Sequence, residues 1–312
     1  MRVSSSAFPD SFIYETNQLQ NQQTLLQTEA TTGLQFTTAG QNPAGMSEAL
    51  DLQADSSANT QYQNNITQLQ DSATTSYNAL NGLQTLISQA STIAAGVGGT
   101  TSPSGLAQDA TQIGSIIQQA LQLANTQDSN GNYIFGGTNV SEPSFVAATD
   151  SNGNVTGVTY QGNTSIAGAE IAPGVTVSAQ TLGANTTGTG PRGLITDTRS
   201  GADLFNHLVS LQNDLSSGNI SAVTSTDTEN LSNDESNIAY QVGSNGVVQS
   251  TLTNTNDVAT QQGTTLTTQM SNLTSANLAT TLTQLQQTQT AYQAALESGV
   301  QVMQISLLNY LY

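Results

Sequence analysis

The chain has one imidazole, His207, so any Ser/His/Asp nucleophilic site has to be built around it. His207 sits in LFNHLVSL, one turn from Leu204 and Leu211 on a helical stripe. No G-x-S-x-G elbow supplies a nucleophile. That placement reads as an edge-of-core or interface histidine. The pentapeptide DSNGN occurs twice, at Asp128–Asn132 and Asp150–Asn154. A calcium loop needs oxygens at alternate positions, a glycine at position six and a carboxylate at position twelve. Here the glycine falls at position four, and position twelve is Asn139 or Gln161. Both segments read as turns in which Asn and Gly supply left-handed backbone. The carboxylates Asp227–Glu229 and Asp234–Glu235 lie on a polar helical segment. Neighbouring residues on a helix point in different directions, so these read as a solvated face rather than an acid/base pair. VGSNGVV and GVGGTT are glycine-rich but contain no lysine, which excludes a phosphate loop. The residues therefore offer no catalytic, cofactor or metal site, and a structural, non-enzymatic role is expected.

Composition points the same way. Among 312 residues there are 21 Asp and Glu against 3 Lys and Arg, giving a formal charge of −18. The cations are Arg2, Arg192 and Arg199, with no lysine. No basic face exists to neutralise phosphates or anionic lipid, so neither nucleic acid nor a membrane surface is an expected partner. Cysteine is absent, which excludes disulfides and thiolate chemistry. No run approaches 18 apolar residues, so membrane insertion is not expected. MRVSSSAFPDSF lacks an apolar core of the signal-peptide kind, so export without a cleavable signal is expected. Charged residues are 8% of the chain, whereas Ser, Thr, Asn and Gln make up 143 of its 312 residues. Neutral amides and hydroxyls must carry the surface. Full protonation of the carboxylates leaves only about +5 by ordinary pKa values, so the charge list suits an acidic medium, with neutral drift of a tolerant exterior and a halophilic surface as the other readings.

The elements that position these residues are helical at both ends. Phe12, Leu19, Leu26 and Gly33 recur every seven residues, with Phe8 and Ala30 near the intervening slots. This is a seam period close to 3.5. Gly33 stops the helix, and GLQFTTAGQNPAG reads as a loop. After Gly45, apolar positions from Tyr62 to Ile93 at spacings of three and four predict a long amphipathic helix. Leu106 to Ala124 predicts a third. From Tyr133 to Arg199 the pattern turns Gly-rich, with short β-branched runs at Val155–Tyr160 and Val175–Val177. Helical spacing resumes at Leu204 and passes through a Thr/Asn/Gln-rich segment. It ends in a last helix carrying Leu278, Leu282, Leu285, Tyr292, Leu296, Gly299, Met303, Leu307 and Tyr310. The chain closes apolar, on SLLNYLY.

Several of these segments together resemble the flagellin superfamily, in particular the hook-associated protein 3 family of hook–filament junction proteins. They are MRVSSS, TGLQFTTAGQNPAGMSEAL, GNYIFGGTNVSEPSF, VTYQGNTSI, RSGADLFNHL and, most specifically, LTQLQQTQTAYQAALESGVQVMQISLLNYL. The family's acidic pair before the loop proline is replaced here by Gln41 and Asn42. The resemblance implies a mainly α fold with a small β module. Long antiparallel helices from both termini form a coiled-coil rod, and a β-rich insert lies mid-chain. Expected divisions are a terminal coiled-coil domain (1–44 and 270–312), a helical rod domain (45–138 and 200–269) and a β-rich outer domain (139–199).

The same resemblance implies a bacterial flagellum component outside the cell, exported by the flagellar type III route. The implied partners are hook-associated protein 1, flagellin, further copies of this chain in a ring of a helical lattice, and a flagellar export chaperone. The expected assembly contacts are Phe8, Phe12, Leu19, Leu26, Leu282, Leu285, Tyr292, Leu296, Met303, Leu307 and Leu308, with ordinary intramolecular core as the other reading of those stripes. Flagellin itself is the alternative within the superfamily. A secreted adhesin or glycan-binding module centred on the β insert is the alternative from another class.

Overall fold

A computed structural model describes residues 7–151 and 153–310, the side chains of 7–9, 303 and 305–310 excepted. The elements run α1 (Ala7–Thr32), α2 (Pro43–Gly96), α3 (Pro103–Ala124), β1 (Phe145–Thr149), β2 (Val155–Tyr160), β3 (Ala169–Ala172), β4 (Val175–Val177), β5 (Leu182–Asn185), β6 (Gly193–Asp197) and β7 (Ala202–Asp203). There follow α4 (Leu204–Ser217), the single turn α5 (Ile220–Ala222), a π-helical turn (Val223–Asp227), α6 (Thr228–Thr274) and α7 (Leu278–Tyr310). The expected fold class holds: long helices at both ends and a small β module between them. The backbone separates into two compact units. One is terminal, up to Ala58 and from Gln262 onward; the other is the middle unit Asn59–Gln261.

In the terminal unit, local chemistry sets the element ends. Gly33 takes φ +71°, a left-handed value open to glycine, and its N–H closes α1 on the Glu29 carbonyl at 2.8 Å. The Gln41 side-chain oxygen accepts from the N–H groups of Thr37 (2.6 Å) and Thr38 (3.1 Å), which folds the following loop on itself. Asn42 caps α2, its Oδ1 accepting from Gly45 N–H at 2.9 Å, and Pro43 occupies the first helical position, where no N–H is needed. The two neutral amides before Pro43 therefore supply the acceptors this loop and cap require, without charge. Phe36 is buried against Gly45, where a Cβ would meet its ring.

The middle unit holds the main core. Leu80, Leu83 and Ile87 of α2, Ile113 and Ile117 of α3, and Leu204, Leu208 and Leu211 of α4 pack with Phe135, Phe145, Leu194, Leu231 and Ile238. Burying each large apolar side chain contributes about 1.5–3 kcal/mol. The β module is three small sheets: antiparallel β1–β2, antiparallel β3–β4, and β5–β6–β7 with β5 parallel and β7 antiparallel to β6. The strands expected at Val155–Tyr160 and Val175–Val177 are β2 and β4. Asn125, the last residue before the chain leaves α3, donates to the Phe145 carbonyl (2.7 Å) and accepts from its N–H (2.9 Å), which pins β1 to the end of α3. Both DSNGN segments are tight turns: the side chains of Asp128 and Asp150 accept from Asn132 and Asn154 N–H at 2.9 Å.

Neutral amides do much of the buried polar work in this unit. Asn237, Gln241 and Asn245 sit one turn apart on α6. Asn237 donates to the carbonyls of Gly193 (2.9 Å) and Leu194 (2.8 Å), Gln241 to Arg192 (3.0 Å) and Asn245 to Ala73 (3.1 Å). From α2, Asn59 donates to the Ala259 carbonyl at 2.9 Å. Asn237→Ala leaves two buried carbonyls without this donor and is expected to cost about 1–3 kcal/mol. A lowered urea midpoint for the middle unit checks this, and an unchanged midpoint contradicts it.

Candidate assembly site

The terminal unit brings α1 and α7 side by side, running antiparallel from a main-chain junction between their connections. Gln35 N–H donates to the Thr274 carbonyl (2.7 Å), Ala276 N–H to Gly33 (2.8 Å), and the Gln35 side chain to Ser275 (2.8 Å). From there the inward residues follow a strict four-three alternation on both helices. On α1 they are Phe12, Thr16, Leu19, Gln23, Leu26 and Ala30; on α7 they are Thr281, Leu285, Thr288, Tyr292, Ala295 and Gly299. All are buried or half-buried. This is the a/d seam of an antiparallel coiled coil.

The far end of the seam fixes its register. The Phe12 ring occupies the space where a Cβ on Gly299 would stand, so only glycine admits the approach. With Phe12 opposite Gly299, the four-three steps set Thr16 opposite Ala295, Leu19 opposite Tyr292, Gln23 opposite Thr288, Leu26 opposite Leu285 and Ala30 opposite Thr281. Among the seam residues whose side chains are described, the large apolar ones are Phe12, Leu19, Leu26, Leu285 and Tyr292. Two seam hydroxyls are satisfied within their own helices: Thr288 donates to the Gln284 carbonyl at 2.8 Å, and Thr16 to Phe12 at 2.6 Å. Over this stretch the seam is low in apolar content. Ordering each residue costs about 1.5 kcal/mol, so five large side chains leave the stretch from Phe12 to Ala30 weakly held.

The expected contact residues thus divide between two faces. Phe12, Leu19, Leu26, Leu285 and Tyr292 face into the α1–α7 seam, with Leu26 buried. Leu282 and Leu296 lie in the row beside the seam and are 51% and 41% exposed. Val300 on α7 and Ile13 and Tyr14 on α1 are exposed as well. Sequence spacing alone missed this division, because the threonines that complete the seam are polar. Phe8, Met303, Leu307 and Leu308 lie on α1 and α7, with side chains outside the described residues.

The groups first considered for chemistry lie in the middle unit. His207 is half-buried, with Nδ1 2.8 Å from Asp234 Oδ2. Burial pulls its pKa down, but the hydrogen bond and charge of Asp234 outweigh it, and the net direction is up. Asp227 and Asp234 are buried, which corrects the expectation of a solvated face; Glu229 and Glu235 do face outward. Asp234 became buried because α4 and β7 pack over that face of α6, and Asp227 because Ser210 of α4 lies against the π-helical turn, which spacing along the segment could not foretell. Arg199 serves Asp197: its Nε lies 3.0 Å from Oδ1, and Gly193 N–H adds a 2.9 Å bond to Oδ2. Burial raises the Asp197 carboxyl, but Arg199 and these N–H donors hold it below the ordinary value. A groove of about 830 Å³ between α2 and α3 is lined by Asn, Gln, Ser, Thr and Ile side chains and Glu235. Among the described residues there is no group of three or more His, Cys, Asp or Glu placed to hold a metal ion, and no helix long and apolar enough to cross a membrane.

Comparison with known proteins fits this architecture. Residues 11–140 match the family model of the bacterial flagellin N-terminal helical region. No curated protein matches the chain. Among solved structures, a putative flagellar hook-associated protein from Vibrio parahaemolyticus is 18% identical, with 75% of this chain and 100% of that chain covered and a TM-score of 0.64. The FlgL protein of Bacillus cereus is also 18% identical, over 71% of this chain and 99% of its own, with a TM-score of 0.54. Flagellar hook-associated protein 3 from Legionella pneumophila is 13% identical, over 71% and 98%, with a TM-score of 0.53. The chain thus carries a flagellin-type N-terminal helical region and has the fold of the hook-associated proteins. The flagellin-superfamily resemblance read from its sequence is borne out on both counts.

The register is open to direct test, since the chain has no cysteine of its own. The pair Gln23→Cys with Thr288→Cys is expected to cross-link on mild oxidation. Gln23→Cys with Thr281→Cys, displaced by a heptad and so by about 10 Å of helix, is not. The reverse pattern contradicts the register.

Proposed function

We propose that this chain is a structural subunit of the bacterial flagellum that joins hook to filament, and that it assembles by coupled folding of its terminal helices. The observation that carries the reading is the terminal pair itself: a seam with few large apolar side chains beside an exposed row holding Leu282 and Leu296. Such a pair gains most of its order when neighbouring subunits cover that row. In a tube, each copy meets the next through unlike surfaces related by a helical operator, and lateral contacts of that kind close a ring. The chain's low charge favours this, because few ions are desolvated when helices pack. On this reading the partners are hook-associated protein 1 on the hook side, flagellin on the filament side, neighbouring copies of the chain and an export chaperone. The place of action is outside the cell, after export through the flagellar type III route.

The flagellin-type N-terminal region favours a second reading, in which the chain is the filament subunit itself. Immunogold labelling of intact flagella separates the two. A single band at the hook–filament boundary supports the junction role, and labelling along the whole filament overturns it.

Leu282→Asp and Leu296→Asp are expected to change the isolated chain's stability by no more than about 0.5 kcal/mol, since both side chains are exposed. They are expected to abolish incorporation, because assembly buries an unpaired charge. Normal filament attachment in a strain carrying either variant contradicts the proposal.

A further inference from the structure

A second polar seam lies in the middle unit, between α4 and the segment leading into α6. The end of β7 and α4 present Asp203, His207, Ser210 and Asp214, at spacings of four, three and four. Opposite them stand Asp227, at the end of the π-helical turn, and Asp234, seven residues on. Asp234 is fully partnered: Oδ1 accepts from Asp203 N–H at 2.9 Å, and Oδ2 faces His207 Nδ1 at 2.8 Å. Asp227 is not. Ser210 donates to its Oδ1 at 3.2 Å, but Oδ2 is buried and has no hydrogen-bond partner. One turn beyond Ser210 on α4 lies a second carboxylate whose charge reaches it, Asp214, itself held by Asn219 Nδ2 at 2.9 Å. Two acceptors face one another where the rest of α6 buries amide donors such as Asn237, Gln241 and Asn245. The missing component is a hydrogen. A proton on Asp227 Oδ2 turns the opposed pair into a carboxyl–carboxylate hydrogen bond, a short and strong kind of contact.

We propose that this seam is a proton-closed latch. A proton on Asp227 donated to Asp214, and a second shared between His207 and Asp234, fasten the π-helical turn and the start of α6 to α4, so that the middle unit is tightest in a mildly acidic medium.

The charged groups reaching Asp227 are Asp214 and His207, both from α4; those reaching His207 are Asp234, Asp203 and Asp227. The other charged groups on elements packed against α4 include Asp109 of α3, Asp197 of β6, held by Arg199, and Glu229 and Glu235 of α6, both of which face outward. Burial pushes Asp227 up to about 6, and the charge of Asp214 adds to the push. Burial likewise raises Asp234 against the pull of His207, and His207 is itself raised, its burial outweighed by Asp234, so the coupled pair holds one proton between them. Asp227 and the His207–Asp234 pair thus hold their protons more tightly in the fold than in the unfolded chain. Stability from such groups is present at low pH and is lost as pH rises through the folded values. For Asp227 the window runs from about 6 down to 3.8. Asp197 sets the lower bound: its pKa is lowered in the fold, so its contribution is lost only below the ordinary carboxylate value. By this linkage Asp227 alone raises the folded-to-unfolded ratio roughly tenfold at pH 5 relative to pH 8.

Urea unfolding of the full chain, followed by circular dichroism between pH 8 and pH 5, tests the latch. The midpoint is expected to climb as pH falls. Asp227→Asn, whose amide donates permanently, is expected to raise the pH 8 midpoint and flatten the slope between pH 7 and pH 5. Asp214→Asn supplies the donor from the other side and is expected to flatten the slope likewise, which keeps the test decisive if the first variant fails to fold. Isotope-edited infrared spectra are expected to show protonated aspartate above pH 5, a signal that weakens in Asp227→Asn. A wild-type midpoint that is flat or falling toward pH 5 overturns the latch. So does an unchanged slope in either foldable variant.

Discussion

The two ends of this chain can meet in only one register, and the terminal architecture depends on that constraint. At one end of the α1–α7 pair, main-chain hydrogen bonds join Gly33 and Gln35 to Thr274 and Ala276. At the other, the Phe12 ring fills the place of the side chain that Gly299 lacks. Between them the four-three steps of both helices fall into step. A one-residue slip removes the glycine from beneath the ring and turns every seam residue aside. The register is therefore fixed by shape at two points rather than by a deep apolar core along its length. A seam specified this way can be correct and still weak, which suits helices that gain their remaining stability from neighbours.

The middle unit solves a different problem with the same residue types. A chain with three arginines and no lysine cannot build its interior on ion pairs. It uses Asn and Gln instead, each donating to a main-chain carbonyl of another element: Asn237 to β6, Asn245 to α2, Asn125 to β1. These contacts carry no charge to desolvate and none to neutralise as pH falls. Asp227, Asp214, Asp234 and His207 stand apart from that pattern, as a place where buried ionisable groups face one another.

Much of the architecture was legible in the sequence, because the signals were local. Gly33 ended α1 where backbone chemistry requires it, and the β-branched runs Val155–Tyr160 and Val175–Val177 became strands, although α2 began at Pro43, inside the segment read as a loop up to Gly45, because Asn42 caps it there. The DSNGN segments folded as turns because Asp, Asn and Gly satisfy their own backbone. The division of α7 into two faces was not legible. Counting apolar residues joined Leu282, Leu285 and Leu296 into one stripe, whereas Thr281 and Thr288 complete the seam and Leu282 and Leu296 look outward. The burial of Asp227 and Asp234 was hidden for a similar reason. Polar residues on a helix read as solvated until it is known that α4 lies over them, and His207 meets its carboxylate 27 residues further along the chain. The π-helical turn in VTSTD has no sequence signature comparable to a cap.

The central claim is that the α1–α7 seam is specified in the isolated chain and stabilised in the assembly. Amide hydrogen exchange on the full-length protein measures this directly, first as a dilute monomer and then within flagella. The account predicts that seam amides from Thr16 to Ala30 exchange far faster than those of α3 in the monomer, and approach the protection of α3 once incorporated. Equal protection of α1 and α3 in the isolated monomer contradicts it.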